Sequence, residues 1–188
     1  MSRRRRGNGP GDPVGVCVID KPAGWTSHDV VAKLRGQLNT PKVGHAGTLD
    51  PMATGVLVIG VGPATRLLNL IMATRKTYEA QITFGVETDS LDADGEVTAT
   101  HDMGDLDPAS VLEAAEALTG EILQVPPMVS AIRVDGRRLH ELAREGIEVE
   151  RKPRPVTVFR FDLVPTENPL VWTATVECSS GTYVRTLA

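Results

Sequence analysis

Apolar and polar side chains alternate along several short stretches of this 188-residue chain, a period typical of strands with one buried face. The alternation is clearest over residues 77–85, where Tyr78, Ala80, Ile82 and Phe84 are separated by polar residues. These four side chains are therefore expected on the inner face of a sheet. The other predicted strands cover residues 14–20, 55–62, 156–164 and 170–178.

Helical spacing of apolar residues marks three further segments. Residues 26–38 carry apolar side chains three and four positions apart, with Thr26 or Ser27 as the expected N-cap. Two more helices are expected after Pro63 and after Asp107, because proline suits the first helical turn and aspartate caps it. Strands also follow one another without the regular strand–helix alternation of doubly wound folds. The chain is therefore predicted to form an α+β fold, with a mixed, mainly antiparallel sheet and flanking helices.

The two ends of the chain differ from this central pattern. Residues 1–12 are too rich in glycine, proline and arginine to pack, which predicts a disordered basic tail before a single domain at residues 13–188. Residues 178–188 form a turn and the start of an amphipathic helix without a capping residue. This pattern predicts a domain that is incomplete at its C-terminus, with Arg185 poorly anchored and apolar surface exposed.

Composition narrows the kind of protein without indicating an activity. No run of about 20 apolar residues occurs, and no apolar signal segment follows the first arginines, so a cytoplasmic protein is expected. Cys17 and Cys178 lie in apolar runs and are expected to be reduced thiols, and the four histidines show no metal-ligand spacing with them. The acidic loop at residues 88–97 resembles a calcium loop, but Ser90 and His101 occupy its leading and closing positions and exclude calcium.

The net charge of −4 hides an uneven distribution. Residues 79–121 contain twelve acidic residues and no lysine or arginine, so the other twelve acidic residues are set against all twenty basic ones, a formal +8. Seven of these bases lie at residues 133–154, where a strand, a short helix and a basic connector are expected. The division fits either a surface that a polyanion approaches or an ordinary solvated acidic face.

The segment GHAGTLDPMATG, residues 44–55, is the most unusual in the chain. Asp50 lies there between glycines, where backbone can approach a ligand closely, and Pro51 biases it toward an extended conformation. Taken alone, an Asp-Pro pair more often opens a turn, and a loop histidine such as His45 more often bonds to backbone. A catalytic carboxylate is therefore one of two interpretations of this segment.

Five segments together resemble, in chain order, the signature blocks of the bacterial tRNA pseudouridine synthase B family. The resemblance covers nearly all of residues 14–188, and residues 44–55 are its most specific part. It implies the pseudouridine synthase fold and a cofactor-free isomerisation of the uridine at position 55, in the T-arm loop of tRNA, to pseudouridine. The segments are IDKPAGWTSHDVV, VGHAGTLDPMATGVLVIGVGPATR, KTYEAQITFGVETDSLDADGEV, VPPMVSAIRVDGRRLHELAREGIEVER and CSSGTYVRTLA.

The resemblance assigns roles to individual residues. It makes Asp50 the nucleophile, Tyr78 an active-site tyrosine and Arg185 the arginine that pairs with the aspartate. Tyr183 would line the pocket, and His45 would contact the RNA beside the flipped-out base. In a pocket of low polarity the pKa of Asp50 would rise, and the positive charge of Arg185 would keep the carboxylate ionised.

The resemblance also implies how RNA is held. A basic insertion at about residues 127–155 is expected to fold over the RNA, although His140 stands where the family usually carries an aromatic residue. The family's later active-site leucine has no counterpart within residues 1–188. The partner implied is the tRNA T-arm stem-loop, with no membrane and no required protein partner. A monomer is expected, and the sequence leaves the oligomeric state open. The further expected RNA-binding residues are Lys21, Arg151 and Lys152.

Two alternatives share part of this interpretation. One is an RNA-binding protein that remodels the tRNA elbow without turnover, and the other is a related synthase that acts on ribosomal RNA within guide-RNA particles. Asp50, Tyr78 and Arg185 together disfavour the first, because a binding protein gains nothing from a buried ion pair that must be desolvated. The atom that Asp50 attacks and the role of the arginines at residues 3–6 stay open.

Overall fold

The structure, a computed structural model, describes residues 11–188 apart from residues 105, 131 and 135 and four side chains, those of Arg133, Arg138, His140 and Arg144. Nearly all of the expected basic tail therefore lies outside the described residues, as does the side chain of His140. The chain forms two compact units, the first ending at Thr74 and the second covering Arg75–Ala188. The expectation of a single domain over residues 13–188 stays a prediction.

The first unit is a three-stranded antiparallel sheet with a helix packed on one face. Its strands are β1 (Gly15–Lys21), β2 (Val43–His45) and β3 (Gly55–Val61), in the order β1-β3-β2. Helix α1 (Ser27–Gln37) buries apolar side chains of its first turns against the inward residues of β3. A 3-10 helix at Gly62–Leu67 and the short helix α2 (Leu68–Met72) complete the unit.

Helix α1 begins where the sequence predicts it. Thr26 is the N-cap, and its hydroxyl accepts a hydrogen bond from the Asp29 amide at 3.1 Å. The Asp29 carboxylate in turn accepts one from the Thr26 amide at 2.9 Å, so the pair forms a capping box. A hydrogen bond from the Thr26 hydroxyl to Asp29 Oδ2 at 2.6 Å, and then the bond from the Thr26 amide, hold the pKa of Asp29 below its ordinary value.

The second unit contains a four-stranded antiparallel sheet in the order β4-β11-β10-β7 and two small hairpins, β5–β6 and β8–β9. A 3-10 helix at Val184–Thr186 follows the last strand. In chain order its elements are β4 (Lys76–Thr83), β5 (Val86–Thr88), β6 (Val97–Thr100), α3 (Pro108–Ala117), β7 (Gly120–Gln124), β8 (Arg133–Val134), β9 (Arg137–Arg138), α4 (Leu139–Arg144), β10 (Arg154–Pro165) and β11 (Val171–Cys178).

The core of the second unit lies on one face of its large sheet. Val158, Val176 and Cys178 are fully buried there, and Leu187 from the end of the chain packs into the same cluster. Burial raises the pKa of the Cys178 thiol, which agrees with the expected core cysteine. Tyr78 lies on this face, as the alternation along β4 predicts.

The α+β class and the mainly antiparallel sheet are confirmed. All described strand pairings are antiparallel, and each of the five strands predicted with definite limits is present within two residues of those limits. Strand β2, the β5–β6 hairpin and β7 were not predicted. In the part of the chain that the structure describes, no helix is both long and apolar enough to cross a membrane.

Candidate active site

Asp50 lies in the segment that joins β2 to β3 in the first unit, and it is half-buried. Its carbonyl oxygen accepts a hydrogen bond from the Ala53 amide at 3.1 Å, which closes a tight turn over Pro51. Gly47, three residues earlier, has φ of +133°, a backbone conformation that glycine adopts readily and other residues rarely do. Gly47 therefore allows the backbone to change direction three residues before Asp50.

Lys21, an expected RNA contact, is instead completely buried at the end of β1. Its ammonium group donates hydrogen bonds to the carbonyl oxygens of Trp25 at 2.6 Å, Pro22 at 3.0 Å and Pro51 at 3.1 Å. Burial lowers the pKa of Lys21, and the negative charge of Asp50 partly opposes this effect. In this structure the ammonium group is not exposed for RNA, and it holds the backbone next to Asp50.

His45 ends strand β2 in the same unit and is half-buried. Its Nδ1 makes a short hydrogen bond to the Gly47 carbonyl oxygen, so Nδ1 must carry a proton and the ring orientation is set by the loop. This contact orients the His45 ring on the segment that carries Asp50. A direct RNA contact by this histidine stays a prediction.

Arg185 belongs to the second unit, where the structure anchors it firmly. Its Nη1 donates to the Ser90 carbonyl oxygen and to Asp92 Oδ2, each at 3.1 Å, and its Nη2 donates to the Val129 carbonyl oxygen at 2.5 Å. The side chains of Arg185 and Asp92 are only 10% and 13% exposed. The expectation of a poorly anchored Arg185 is therefore wrong, whereas its pairing with Asp50 stays a prediction.

Asp92 is the residue that the sequence analysis missed. It lies in the acidic loop between β5 and β6, and its Oδ1 accepts hydrogen bonds from the Ser90 hydroxyl at 2.6 Å and the Asp94 amide at 3.1 Å. Its two carboxylate oxygens therefore serve different partners, Oδ1 the loop and Oδ2 Arg185. The loop thereby positions the Arg185 side chain, through Asp92 Oδ2 and the Ser90 carbonyl oxygen.

The backbone of the acidic loop is tightly built. Leu91 has φ of +60°, which is rare for a side chain of this size. A Cβ atom added at Gly95 would lie 2.2 Å from the Ser90 hydroxyl oxygen and 2.6 Å from Asp89 Oδ1, so a larger residue there would force these side chains to move. The loop conformation that presents Asp92 thus includes one strained residue, Leu91, and a glycine, Gly95, packed closely against the side chains of Ser90 and Asp89.

Tyr183 is half-buried, and its peptide groups are held by the side chain of Gln124 on β7. The Tyr183 amide donates to Gln124 Oε1 at 2.8 Å, and Gln124 Nε2 donates to the Tyr183 carbonyl oxygen at 3.0 Å. Gln124 is 7% exposed, so both bonds are shielded from water. Gln124 thereby fixes the segment that leads to Arg185, a role that no local sequence signal indicates.

The expected RNA-binding bases of the second unit differ in their availability. Arg151 donates to the Pro126 carbonyl oxygen at 3.1 Å and pairs with Glu148 at 3.3 Å, and its side chain is 22% exposed. Lys152, the next residue, is exposed. Arg151 is therefore partly committed to the protein, whereas Lys152 can reach a phosphate.

The fold has relatives among solved structures. A chain from the crystal structure of a Cbf5-Nop10-Gar1 complex matches with a TM-score of 0.66 and 29% identity, over 92% of this chain and 42% of that chain. A chain from the structure of an H/ACA RNP bound to a substrate RNA containing 2′-deoxyuridine matches with a TM-score of 0.63 and 27% identity, over 92% and 40% of the two chains. The chain thus has the pseudouridine synthase fold.

Sequence comparison gives the family. The model described as TruB family pseudouridylate synthase (N terminal domain) matches residues 35–184. The chain is 52% identical over 179 residues to tRNA pseudouridine synthase B of Arthrobacter sp. (strain FB24) and 52% identical over 191 residues to that of Rhodococcus jostii (strain RHA1). These alignments cover 93% and 100% of this chain. The chain belongs to the TruB family of pseudouridylate synthases.

The chain spans less than two thirds of the length of these two relatives. It spans 58% of the Arthrobacter protein and 63% of the Rhodococcus protein. Residues 44–55, with Asp50, and residues 178–184, next to Arg185, both lie within the segment that the family model matches or directly at its edge.

Proposed function

We propose that this protein converts a uridine of tRNA to pseudouridine, at position 55 in the T-arm loop, with Asp50 as the nucleophile. The observation that carries the proposal is the geometry of Asp50 within the most specific segment of the family. The carboxylate is half-buried, and the backbone beside it is held by Lys21 through the Pro51 carbonyl oxygen at 3.1 Å. A carboxylate held in this way is ready to attack an electrophilic carbon.

The reaction breaks the bond between ribose C1′ and uracil N1 and forms a bond between C1′ and C5. In the proposed sequence Asp50 supplies a negative charge to the reacting centre while the base is detached and turned over. The C5 proton then leaves, and N1 gains a proton. Because substrate and product are isomers, no oxidant or reductant is consumed.

In the second unit, Arg185 and Asp92 form the ion pair that we propose acts in the reaction. Arg185 carries a fixed positive charge that would keep a nearby carboxylate ionised, and Asp92 sets its direction through the 3.1 Å ion pair. Tyr78 lies half-buried on the inner face of β4. Its ring offers a face for stacking on the base, and its hydroxyl can accept or donate a proton.

A uridine inside a folded RNA loop must be flipped out before its C1′ can react, which costs a few kcal/mol of unstacking. His45 is proposed to take the place of the displaced base. Lys152 and the neighbouring bases are proposed to hold phosphates of the T-arm, since RNA loops are recognised by shape, stacking and phosphate contacts. The protein would act in the cytoplasm as a monomer without a protein partner.

A second candidate function is guide-dependent modification of another RNA. It is favoured by the likeness to two chains from H/ACA particles, with TM-scores of 0.63 and 0.62. These chains are 27% and 26% identical to this one, whereas the tRNA pseudouridine synthase B relatives are 48 to 52% identical. The sequence relationship therefore favours tRNA as the substrate.

The test is incubation of the protein with unmodified tRNA and no guide RNA, followed by mapping of pseudouridine at single-nucleotide resolution. We expect modification at position 55 alone. The Asp50→Asn variant keeps the size of the side chain and removes its charge, so product should fall to background while tRNA binding is retained.

Three results would contradict the proposal. Turnover by the Asp50→Asn variant would exclude Asp50 as the nucleophile. Modification only in the presence of a guide RNA would favour the second candidate. Tight tRNA binding by the parent protein without any product would indicate an RNA-binding protein.

A further inference from the structure

We propose that Ser27 is a positioning residue for Asp50, acting through the backbone of Leu49. The inference rests on the proposed function, in which Asp50 is the nucleophile. Ser27 is the first residue of α1, 22 positions before Leu49 in the chain. None of the roles described above requires it.

The contact is a two-way hydrogen bond made by one buried hydroxyl. Ser27 is 2% exposed, and its Oγ accepts a hydrogen bond from the Leu49 amide at 2.9 Å. The same hydroxyl donates to the Leu49 carbonyl oxygen at 3.4 Å. A serine hydroxyl has one donor and free acceptor capacity, so it satisfies both backbone groups of one residue.

These bonds define the position of Asp50 because the peptide unit is planar. The Leu49 carbonyl belongs to the peptide that enters Asp50, so holding this oxygen fixes the plane from which Asp50 starts. On the other side the Pro51 carbonyl oxygen accepts bonds from the Gly24 amide at 2.8 Å and from Lys21 Nζ at 3.1 Å. Asp50 is therefore held between two anchored neighbours.

The anchor itself is independent of the loop. Thr26 and Asp29 form the capping box that begins α1, and Val31 of the same helix is 1% exposed in the core of the first unit. Ser27 is thus fixed by its helix, and Leu49 is positioned against it. A loop alone would leave the carboxylate several orientations, and a misplacement of about 1 Å can reduce a rate on the order of 100-fold.

The experiment compares Ser27→Ala with Thr40→Val in the intact protein. Thr40 is a matched control, because it is 3% exposed in the same unit and its hydroxyl accepts only the Lys42 amide at 3.4 Å among the hydrogen bonds described here. We expect Ser27→Ala to lower kcat about tenfold or more, with the tRNA dissociation constant unchanged. Thr40→Val is expected to lower the melting temperature without lowering kcat.

Nuclear magnetic resonance gives a second readout that does not depend on turnover. In Ser27→Ala the Leu49 amide should exchange with solvent faster, and the three-bond couplings of Asp50 should change from one χ1 rotamer toward an average. If Ser27→Ala does not fold, Ser27→Cys keeps the size of the side chain and weakens both hydrogen bonds. In Ser27→Cys the Leu49 amide exchange and the Asp50 couplings are then expected to change in the same direction by a smaller amount.

The outcomes separate this inference from the proposed function. A parent protein that makes no pseudouridine overturns the proposed function, and the resonance measurements then decide whether Ser27 positions Asp50. Unchanged Leu49 exchange and Asp50 couplings in a folded Ser27→Ala or Ser27→Cys variant overturn the inference. If the parent protein is active, a Ser27→Ala variant with the same kcat as the parent also overturns the inference.

Discussion

In each of the two units, several buried or half-buried polar side chains hydrogen bond to other residues of the protein. Lys21 donates to three backbone carbonyl oxygens, and Gln124 holds both peptide groups of Tyr183. Asp92 joins the acidic loop to Arg185. A buried polar group must find partners because an unsatisfied one costs about 1–3 kcal/mol, so each of these residues is tied to a definite backbone position.

Asp92→Asn tests this dependence at a single carboxylate. The change keeps the size of the side chain but removes the negative charge opposite Arg185, so we expect kcat to fall about 100-fold and the melting temperature to fall. Asp94→Asn is the matched control, because Asp94 is exposed in the same loop. Single-turnover rates and thermal melts of both variants make the comparison. Equal rates for the two variants would show that the ion pair with Arg185 is not needed.

The elements that were predicted are those with a strong local pattern. Strand β4 alternates as expected, and the capping residues of α1 and α3 are Thr26 and Asp107 as expected. The β5–β6 hairpin and β7 were missed, since both are short and flanked by residues that signal turns. Their strand conformation depends on pairing with a neighbour, as when Gly120–Gln124 pairs with β10.

Gly95→Ala tests the loop that joins β5 to β6. The added methyl group would lie 2.2 Å from the Ser90 hydroxyl oxygen, so it must displace the hydroxyl that hydrogen bonds to Asp92. We expect lower activity and a lower melting temperature. Gly36→Ala in α1 is the control with the opposite sign, because nothing lies within 4 Å of its added methyl group. Alanine there should stabilise by about 0.5–1 kcal/mol. A Gly95→Ala variant with parental melting temperature and rate would contradict the structure of this loop.

Acidic and basic residues are concentrated in different segments of the chain, which the small net charge of −4 does not reveal. The acidic residues 79–121 and the basic residues 133–154 both belong to the second unit. The acidic segment is more than a solvated surface, because Asp92 anchors Arg185 and Asp107 caps α3. Hydrogen bonds from Ser110 and from the first-turn amides hold the pKa of Asp107 below its ordinary value, so this stabilisation is lost only as the pH falls through that lowered pKa.

Salt dependence of tRNA binding tests the basic segment. Removing one phosphate contact reduces the slope of log affinity against log salt by about 0.7 to 0.9. Lys152→Ala should show this change, because Lys152 is exposed. Arg151→Ala should show a smaller one, because Arg151 already bonds to Pro126 and Glu148. Binding curves at several salt concentrations give both slopes. Two unchanged slopes would mean that these bases form only a solvated face.

Local patterns were enough for the α+β class, the strands with clear alternation and the helix caps, whereas the role of Asp50 rests on the family resemblance of residues 44–55 and stays a prediction. These features depend on residues a few positions apart, and their signal is present in the chain itself. The placement of buried polar groups needed the tertiary structure. Lys21 reaches Pro51 across 30 residues, Gln124 reaches Tyr183 across 59, and Arg185 reaches Asp92 across 93. No local period encodes such contacts, because they exist only after packing has brought distant segments of each unit together.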